Sequence, residues 1–305
     1  MKRLIIIFML VSGGCVFAQQ DALYSQYMFN QLVLNPGYTG ARDALTVTMV
    51  HRHQWAGMDG APRTYSLTVH SPIGNEHVAV GGFLYSDELG PMRDMGGYGS
   101  FAYRIFLDKS KISFGIQAGI RKYDIDWAML NFQQSGDIIL NGQIANTAIP
   151  DANFGIYWYS DQFFVGLSSK HLLQNKYAEV VLDENTVYST LLRHFYAMGG
   201  VAIPISDNIV LRPSTLIKYT QHAPLQVDIN ISALFNDFIW VGASYRTKQA
   251  VVAILECNVT DQIRIGYSYD LLFNELRIYN KGSHEIMIGF DIGRGDSRML
   301  SPRFF

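Results

Sequence analysis

The sequence predicts an all-β fold: a transmembrane, antiparallel, up-and-down β-barrel of about 14 strands, of the bacterial outer-membrane type. Three observations predict it. Apolar and polar residues alternate with a period of two from residue 43 to residue 292, and every second connection between the alternating runs is short. The composition is also aromatic-rich and charge-poor. Among 305 residues there are 18 Tyr and 18 Phe, while charged residues reach only 16%, against roughly 25% in soluble domains. A surface that faces lipid and carries aromatic girdles has this composition.

The elements follow in chain order. Residues 1–18 read as a signal peptide. Lys2 and Arg3 form a basic start, Leu4 to Val11 an apolar run, and Val16-Phe17-Ala18 a small-residue cleavage site before Gln19. The apolar run is too short for a membrane helix, which takes about 20 residues. Acylation of Cys15 would call for a Leu-like residue three positions earlier, where Ser12 stands. Cleavage leaves Cys257 as the single thiol, so no intramolecular disulfide is available.

Residues 19–42 lack the two-residue period but hold Tyr24, Gln26, Tyr27, Phe29, Asn30, Asn35 and Pro36. A disordered segment is rarely so aromatic. Two placements are open: a plug inside the lumen, or a segment on the periplasmic rim.

From there the barrel reads over 43–292. Leu225, Val227, Ile229, Ile231 and Ala233 share one face, and Gln226, Asp228, Asn230 and Ser232 the other. Lys111 to Arg121, Gln262 to Tyr269 and Glu285 to Ile292 repeat this alternation. Strands are expected near 43–51, 62–70, 77–86, 96–107, 111–122, 152–159, 162–170, 192–204, 208–219, 224–235, 238–246, 249–259, 262–270 and 283–292. Their lengths cluster near the roughly 9–11 residues that cross a bilayer at a tilt.

The short connections (Ser71 to Glu76, Asp108 to Ser110, Ser160-Asp161, Ser206 to Asn208, Asn236-Asp237 and Thr260-Asp261) are built from turn residues. The others include the long 123–151, 171–191 and 271–282. Short periplasmic turns alternating with longer outer loops characterise bacterial barrels and not soluble sandwiches. An even strand number returns both ends of the barrel to the periplasmic side, and residues 293–305 form a periplasmic tail.

The polar face must then line the lumen. Candidates are Arg104, Arg121, Lys170, Arg212, Lys218, Asp228, Glu256, Arg264 and Glu285, of both signs. Their mixture fits an occluded, salt-bridged interior or a ligand channel. A net charge of −2 offers no basic excess for nucleic acid; lipid of the outer membrane is the expected contact. No catalytic spacing is present: there is no H-E-x-x-H, G-x-S-x-G or P-loop. His51 and His53 have no acidic partner at metal-ligand spacing. No enzyme, cofactor or metal site is expected.

Particular blocks carry a resemblance. Tyr24-Ser25-Gln26-Tyr27-Met28-Phe29-Asn30, followed by Asn35-Pro36-Gly37-Tyr38-Thr39-Gly40, resembles the opening signature of the PorP/SprF family of outer-membrane proteins of type IX secretion and gliding motility. Arg52-His53-Gln54-Trp55 with Gly60-Ala61-Pro62-Arg63-Thr64-Tyr65-Ser66 is similar to a second family block. Lys170-His171-Leu172-Leu173, Arg264 to Asp270, Ser283 to Ile286 and the terminal Ser301 to Phe305 are similar to later ones. Gly37-Tyr38-Thr39-Gly40 departs from the family's Ala-Tyr-Ala-Gly.

The resemblance implies an accessory, non-enzymatic role in secreting or anchoring large surface proteins. The partners it implies are the translocon or a secreted adhesin, and a periplasmic peptidoglycan-associated component. Physically, Asn35-Pro36-Gly37 should turn the leading segment, and Arg52, Gln54 and Trp55 should cap the first hairpin at the outer rim. The competing expectation is a small-molecule channel with residues 19–42 as its hatch.

Overall fold

A computed structural model describes residues 21–74, 76–126, 129, 148–182 and 185–293. The proposed signal peptide and C-terminal tail lie outside them, apart from residue 293. Strands follow in chain order: β1 (Leu45–His53), β2 (Arg63–Ile73), β3 (Val78–Leu89), β4 (Met92–Phe106), β5 (Lys111–Ile125), β6 (Ala148–Tyr159), β7 (Phe163–Lys170), β8 (Lys176–Leu182), β9 (Asn185–Thr190), β10 (His194–Val201), β11 (Ile203–Ser206), β12 (Ile209–Thr220), β13 (Gln226–Phe235), β14 (Ile239–Arg246), β15 (Ala250–Asn258), β16 (Ile263–Leu272) and β17 (Ser283–Ile292).

Each barrel strand pairs antiparallel with its sequence neighbour, and β1 closes the ring on β17, from Leu45↔Ile292 to His53↔His284. β10 and β11 both pair with β12 and are two pieces of one strand broken at Ala202, while β8 and β9 form a hairpin of their own. The barrel therefore has fourteen strands. Closure has a physical cause: in hydrocarbon an unpaired strand edge leaves amide groups that nothing satisfies. Among the described residues no helix is long and apolar enough to cross a membrane.

The side chains alternate across the wall. Ile120, Leu167 and Ile229 point outward and are more than half exposed, as lipid contact requires. Thr46, Thr48, Val50 and Arg52 of β1 point inward and are buried. The end of β2 and start of β3 at Ile73 and Val78, with the turns at 107–110, 160–162, 207–208, 236–238 and 259–262, mark one end of the barrel. In bacterial barrels the short-turn end is the periplasmic one.

Residues 21–42 run inside the barrel, not along its rim. Every residue from Ser25 to Ala41 is buried, through three short 3-10 turns at Tyr27–Phe29, Gln31–Val33 and Pro36–Tyr38. The side chain of Asn35 caps the last of these by accepting from the Gly37 N–H at 2.8 Å. The segment starts at the long-loop end and descends to the short-turn end, where β1 begins.

Two expected connections differ. The loop expected at 87–95 is a tight turn at Gly90-Pro91, with β3 and β4 paired out to Leu89↔Met92. The hydrophobic period fades there because Arg93 and Glu88 form a cross-strand polar pair on the outer face, where an apolar pair would have continued the pattern. The connection 171–191 contains the β8–β9 hairpin, which stands apart from the barrel sheet.

A plug in the lumen makes a checkable contact. Thr68 of β2 donates its hydroxyl to Asn30 Oδ1 at 3.1 Å. In a Cys257→Ser background, Asn30→Cys with Thr68→Cys should yield an intramolecular product with a short bifunctional thiol reagent, read by peptide mass spectrometry. Asn30→Cys with Ile229→Cys, on the lipid face, should yield none. The reverse pattern would remove the plug from the lumen.

Candidate functional site in the plugged lumen

The plug fits because the wall is notched for it. A side-chain carbon added at Gly155 of β6 would lie far inside contact distance of the Asn35 amide, one at Gly115 of β5 would overlap the Pro36 carbonyl, and one at Gly266 of β16 would overlap the Gln26 amide. Only residues without a Cβ allow backbone and plug to approach this closely. Asn35 uses that proximity, donating its Nδ2 to the Ile156 carbonyl at 3.0 Å.

Polar anchoring occurs at three heights. Near the long-loop end, Arg52 pairs with Asp270 at 2.7 Å and Glu285 at 3.3 Å, and donates to Ser25 Oγ at 2.8 Å. The Glu285 carboxylate accepts the backbone N–H of Ser25 at 2.8 Å and of Gln26 at 2.7 Å. Arg246 bridges Asp228 at 2.9 Å and Asp270 at 3.3 Å. Halfway down, the Arg212 guanidinium lies between the rings of Phe29 and Trp240, 4.7 Å and 4.2 Å from their centroids. This places a plug aromatic on a wall cation through its π face.

At the short-turn end, Arg42 meets Asp291 through two bonds of 3.1 Å and 2.9 Å. Arg264 reaches the same carboxylate at 3.0 Å and approaches Glu256 at 3.7 Å. Arg104 donates to the Gly40 carbonyl at 2.8 Å and pairs with Asp43.

The upper end of the plug has a further anchor. Asp21 pairs with Lys170 at 2.7 Å and lies 3.5 Å from Arg121. His171, in the left-handed region at φ 58°, places Nε2 2.9 Å from Asp21 and Nδ1 2.6 Å from Asp151. Burial works against its charge, but the Asp21 and Asp151 carboxylates outweigh burial and hold the imidazole above its ordinary pKa.

The structure thus places Arg104, Arg121, Lys170, Arg212, Lys218, Asp228, Glu256, Arg264 and Glu285 on the inner face, and Tyr24, Gln26, Tyr27, Asn30, Asn35 and Pro36 within the plug. It separates the residues expected to cap the first hairpin. Arg52 is not a rim cap: the strand alternation turns it inward, where it is 2% exposed and bound to the plug. Gln54 and Trp55 do stand at the rim, Gln54 N–H donating to the Pro62 carbonyl and Trp55 N–H to Ser283 Oγ.

His51 stacks on Tyr65 with centroids 4.4 Å apart. Sequence reasoning did not single out Ser25, Asp270, Arg246, Asp291, Arg42, Asp21 or His194. Asp270, Arg246 and Asp291 share the polar phase of their strands, so the alternation could have found them. The plug residues have no such period.

Beside the plug, a cavity of about 20 Å³ among Tyr24, Lys218, Gln226 and Arg246 has room for about one water.

Comparison with known proteins gives one family. The model of the type IX secretion system membrane protein PorP/SprF family matches residues 16–290. No curated protein sequence matches the chain. Solved structures similar to it include Omp33 of Acinetobacter baumannii, at 8% identity over 82% of this chain and 100% of that one, with a TM-score of 0.48. A FadL homologue of Pseudomonas aeruginosa is 10% identical over 84% of this chain and 92% of its own, with a TM-score of 0.48. A mutant of the monoaromatic hydrocarbon channel TodX is 10% identical over 87% and 94%, with a TM-score of 0.49.

The Arg52 cluster predicts a large stability effect. Arg52→Ala leaves Asp270 and Glu285 buried without that partner and should destabilise the folded barrel by about 3–5 kcal/mol. Arg93→Ala breaks an exposed pair and should shift it by less than about 1 kcal/mol. Urea unfolding in detergent micelles measures both, and equal effects would refute the anchoring role.

Proposed function

The chain belongs to the PorP/SprF family of type IX secretion system membrane proteins, and from that premise we propose that it acts as a closed, non-enzymatic, protein-binding barrel. In this reading it is an outer-membrane anchor that assists secretion or surface retention of large proteins. Its partners are the translocon or a secreted adhesin outside and a peptidoglycan-associated component in the periplasm.

One observation carries the reading. The lumen is filled by the chain's own residues 21–42, tied to the wall by ion pairs at the segment's two ends, Asp21 with Lys170 and Arg42 with Asp291, and between them by the Ser25 and Gln26 N–H bonds to Glu285. With the interior occupied, the surfaces offered to other molecules are the two ends and the lipid face. At the long-loop end, 54–62 and 273–282 form a braced ledge. Ala56 N–H donates to the Gly282 carbonyl and Lys281 N–H to the Ala56 carbonyl, each at 2.8 Å. On the ledge Ile278 and Tyr279 are 79% and 67% exposed. Exposed apolar and aromatic residues on a braced support suit a protein contact.

The test is recovery of the tagged barrel, cross-linked in its native outer membrane. A surface adhesin, a translocon subunit or a periplasmic partner should accompany it. If the ledge binds the outer partner, Ile278→Asp with Tyr279→Asp should lower that partner's recovery about tenfold, equivalent to ~1.4 kcal/mol. Recovery of none of these partners would count against the proposal. In planar bilayers the intact barrel should pass no steady current. Steady conductance or solute uptake would favour the competing reading, in which residues 19–42 are the hatch of a selective channel.

A further inference from the structure

Three side chains far apart in sequence meet at the upper end of the plug. Asp21 comes from the plug, His171 from the connection after β7, and His194 opens β10. Each offers one potential ligand atom within 4.8 Å of the others. Both imidazoles are buried, at 1% and 0% exposure, and their rings meet edge to face with centroids 5.4 Å apart.

The arrangement of protons is informative. His194 Nδ1 lies 3.1 Å from the Leu192 carbonyl. A carbonyl only accepts, so Nδ1 carries the proton and, in the neutral ring, the Nε2 lone pair is left free. That Nε2 is buried with no hydrogen-bond partner. His171 Nδ1 is oriented by the Asp151 carboxylate at 2.6 Å, leaving Nε2 to face Asp21, with Arg121 Nη1 3.4 Å to one side. A carboxylate or carbonyl behind each imidazole is the outer-shell pattern that aims histidine Nε2 atoms at metal ions. A clasp made by protons alone accounts for Asp21 and His171 but leaves the His194 lone pair buried and unused.

We propose that Asp21, His171 Nε2 and His194 Nε2 bind one divalent transition-metal ion of the zinc class. Two imidazoles and a carboxylate suit such borderline ions, with a water in the fourth position. Lys170 holds Asp21 Oδ2 at 2.7 Å, so the carboxylate binds through Oδ1 alone. The metal replaces the His171 Nε2 proton: one ion enters and one proton leaves. A tetrahedral site with bonds of about 2.0–2.2 Å has ligand separations near 3.3 Å, so Asp21 Oδ1 and His171 Nε2, now 2.9 Å apart, open slightly as His194 completes the set. Asp21, on the plug and outside the sheet, can supply that movement. Bound metal would fasten the plug's upper end to the wall at β7 and β10. This inference is independent of the partner proposal.

The test uses the mature chain without a histidine tag, folded in detergent micelles and titrated with Co²⁺. One equivalent should produce the visible absorption of four-coordinate Co²⁺, release about one proton in weak buffer, and be displaced by Zn²⁺. His194→Gln should weaken binding at least tenfold, with folding checked by heat-dependent gel migration. Asp151→Asn should weaken it by about 10–100-fold through the ring it orients, while the outward His51→Gln should leave it unchanged. If His194→Gln does not fold, Asp21→Asn decides. Absence of the Co²⁺ bands, or binding that survives in the folded variants, would overturn the proposal.

Discussion

A sheet that spans hydrocarbon has to close on itself, and fourteen strands close around more space than their own side chains fill. About eight strands give an interior that side chains occupy completely. Beyond that number a barrel conducts, binds a ligand or supplies a filler. Here the filler is residues 21–42, and this requirement connects the rest of the structure. The glycine notches at 115, 155 and 266 exist where the filler touches the wall, and the inward charges find their counter-charges and donors there.

The polar filling has its own logic. Apolar packing would suit a dry core, but the strands of an outer-membrane barrel put their polar phase inside. Buried charge is tolerable only when paired and hydrogen-bonded. Arg52 meets this condition across three wall strands and the plug, with Asp270, Glu285 and Ser25. Asp291 meets it through Arg42 and Arg264. Such pairs are weak evidence for net stability, but breaking one leaves an uncompensated charge, so they define one seating of the plug strongly.

A plugged barrel with a braced outer ledge gives physical content to the family's association with secretion. A lumen filled by a segment anchored at three heights, through ion pairs, hydrogen bonds and a cation–π contact, is a poor open pore and a sound rigid support. Under the proposed function, the two ends are the surfaces on which the chain would meet other molecules. The cluster at Asp21, His171 and His194 lies at the plug's upper end, where a bound ion would govern how firmly the filler is held.

The alternation from residue 43 onward was enough to read all fourteen barrel strands, the short turns and the inward phase that carries Arg104, Arg264 and Glu285, because a strand's two faces are set by local backbone geometry. It read Arg52 by sequence position as a rim residue, although the same alternation turns it inward. The β3–β4 extension was lost where the wall is paired by polar groups and the period carries no hydrophobic signal. What the sequence by itself determined is therefore the wall: which residues meet lipid and which do not. Only the tertiary structure decided what fills the enclosed space, since the plug has no repeating period. Asp21, His171 and His194, or Ser25, Arg52 and Asp270, become neighbours only once the ring has closed around it.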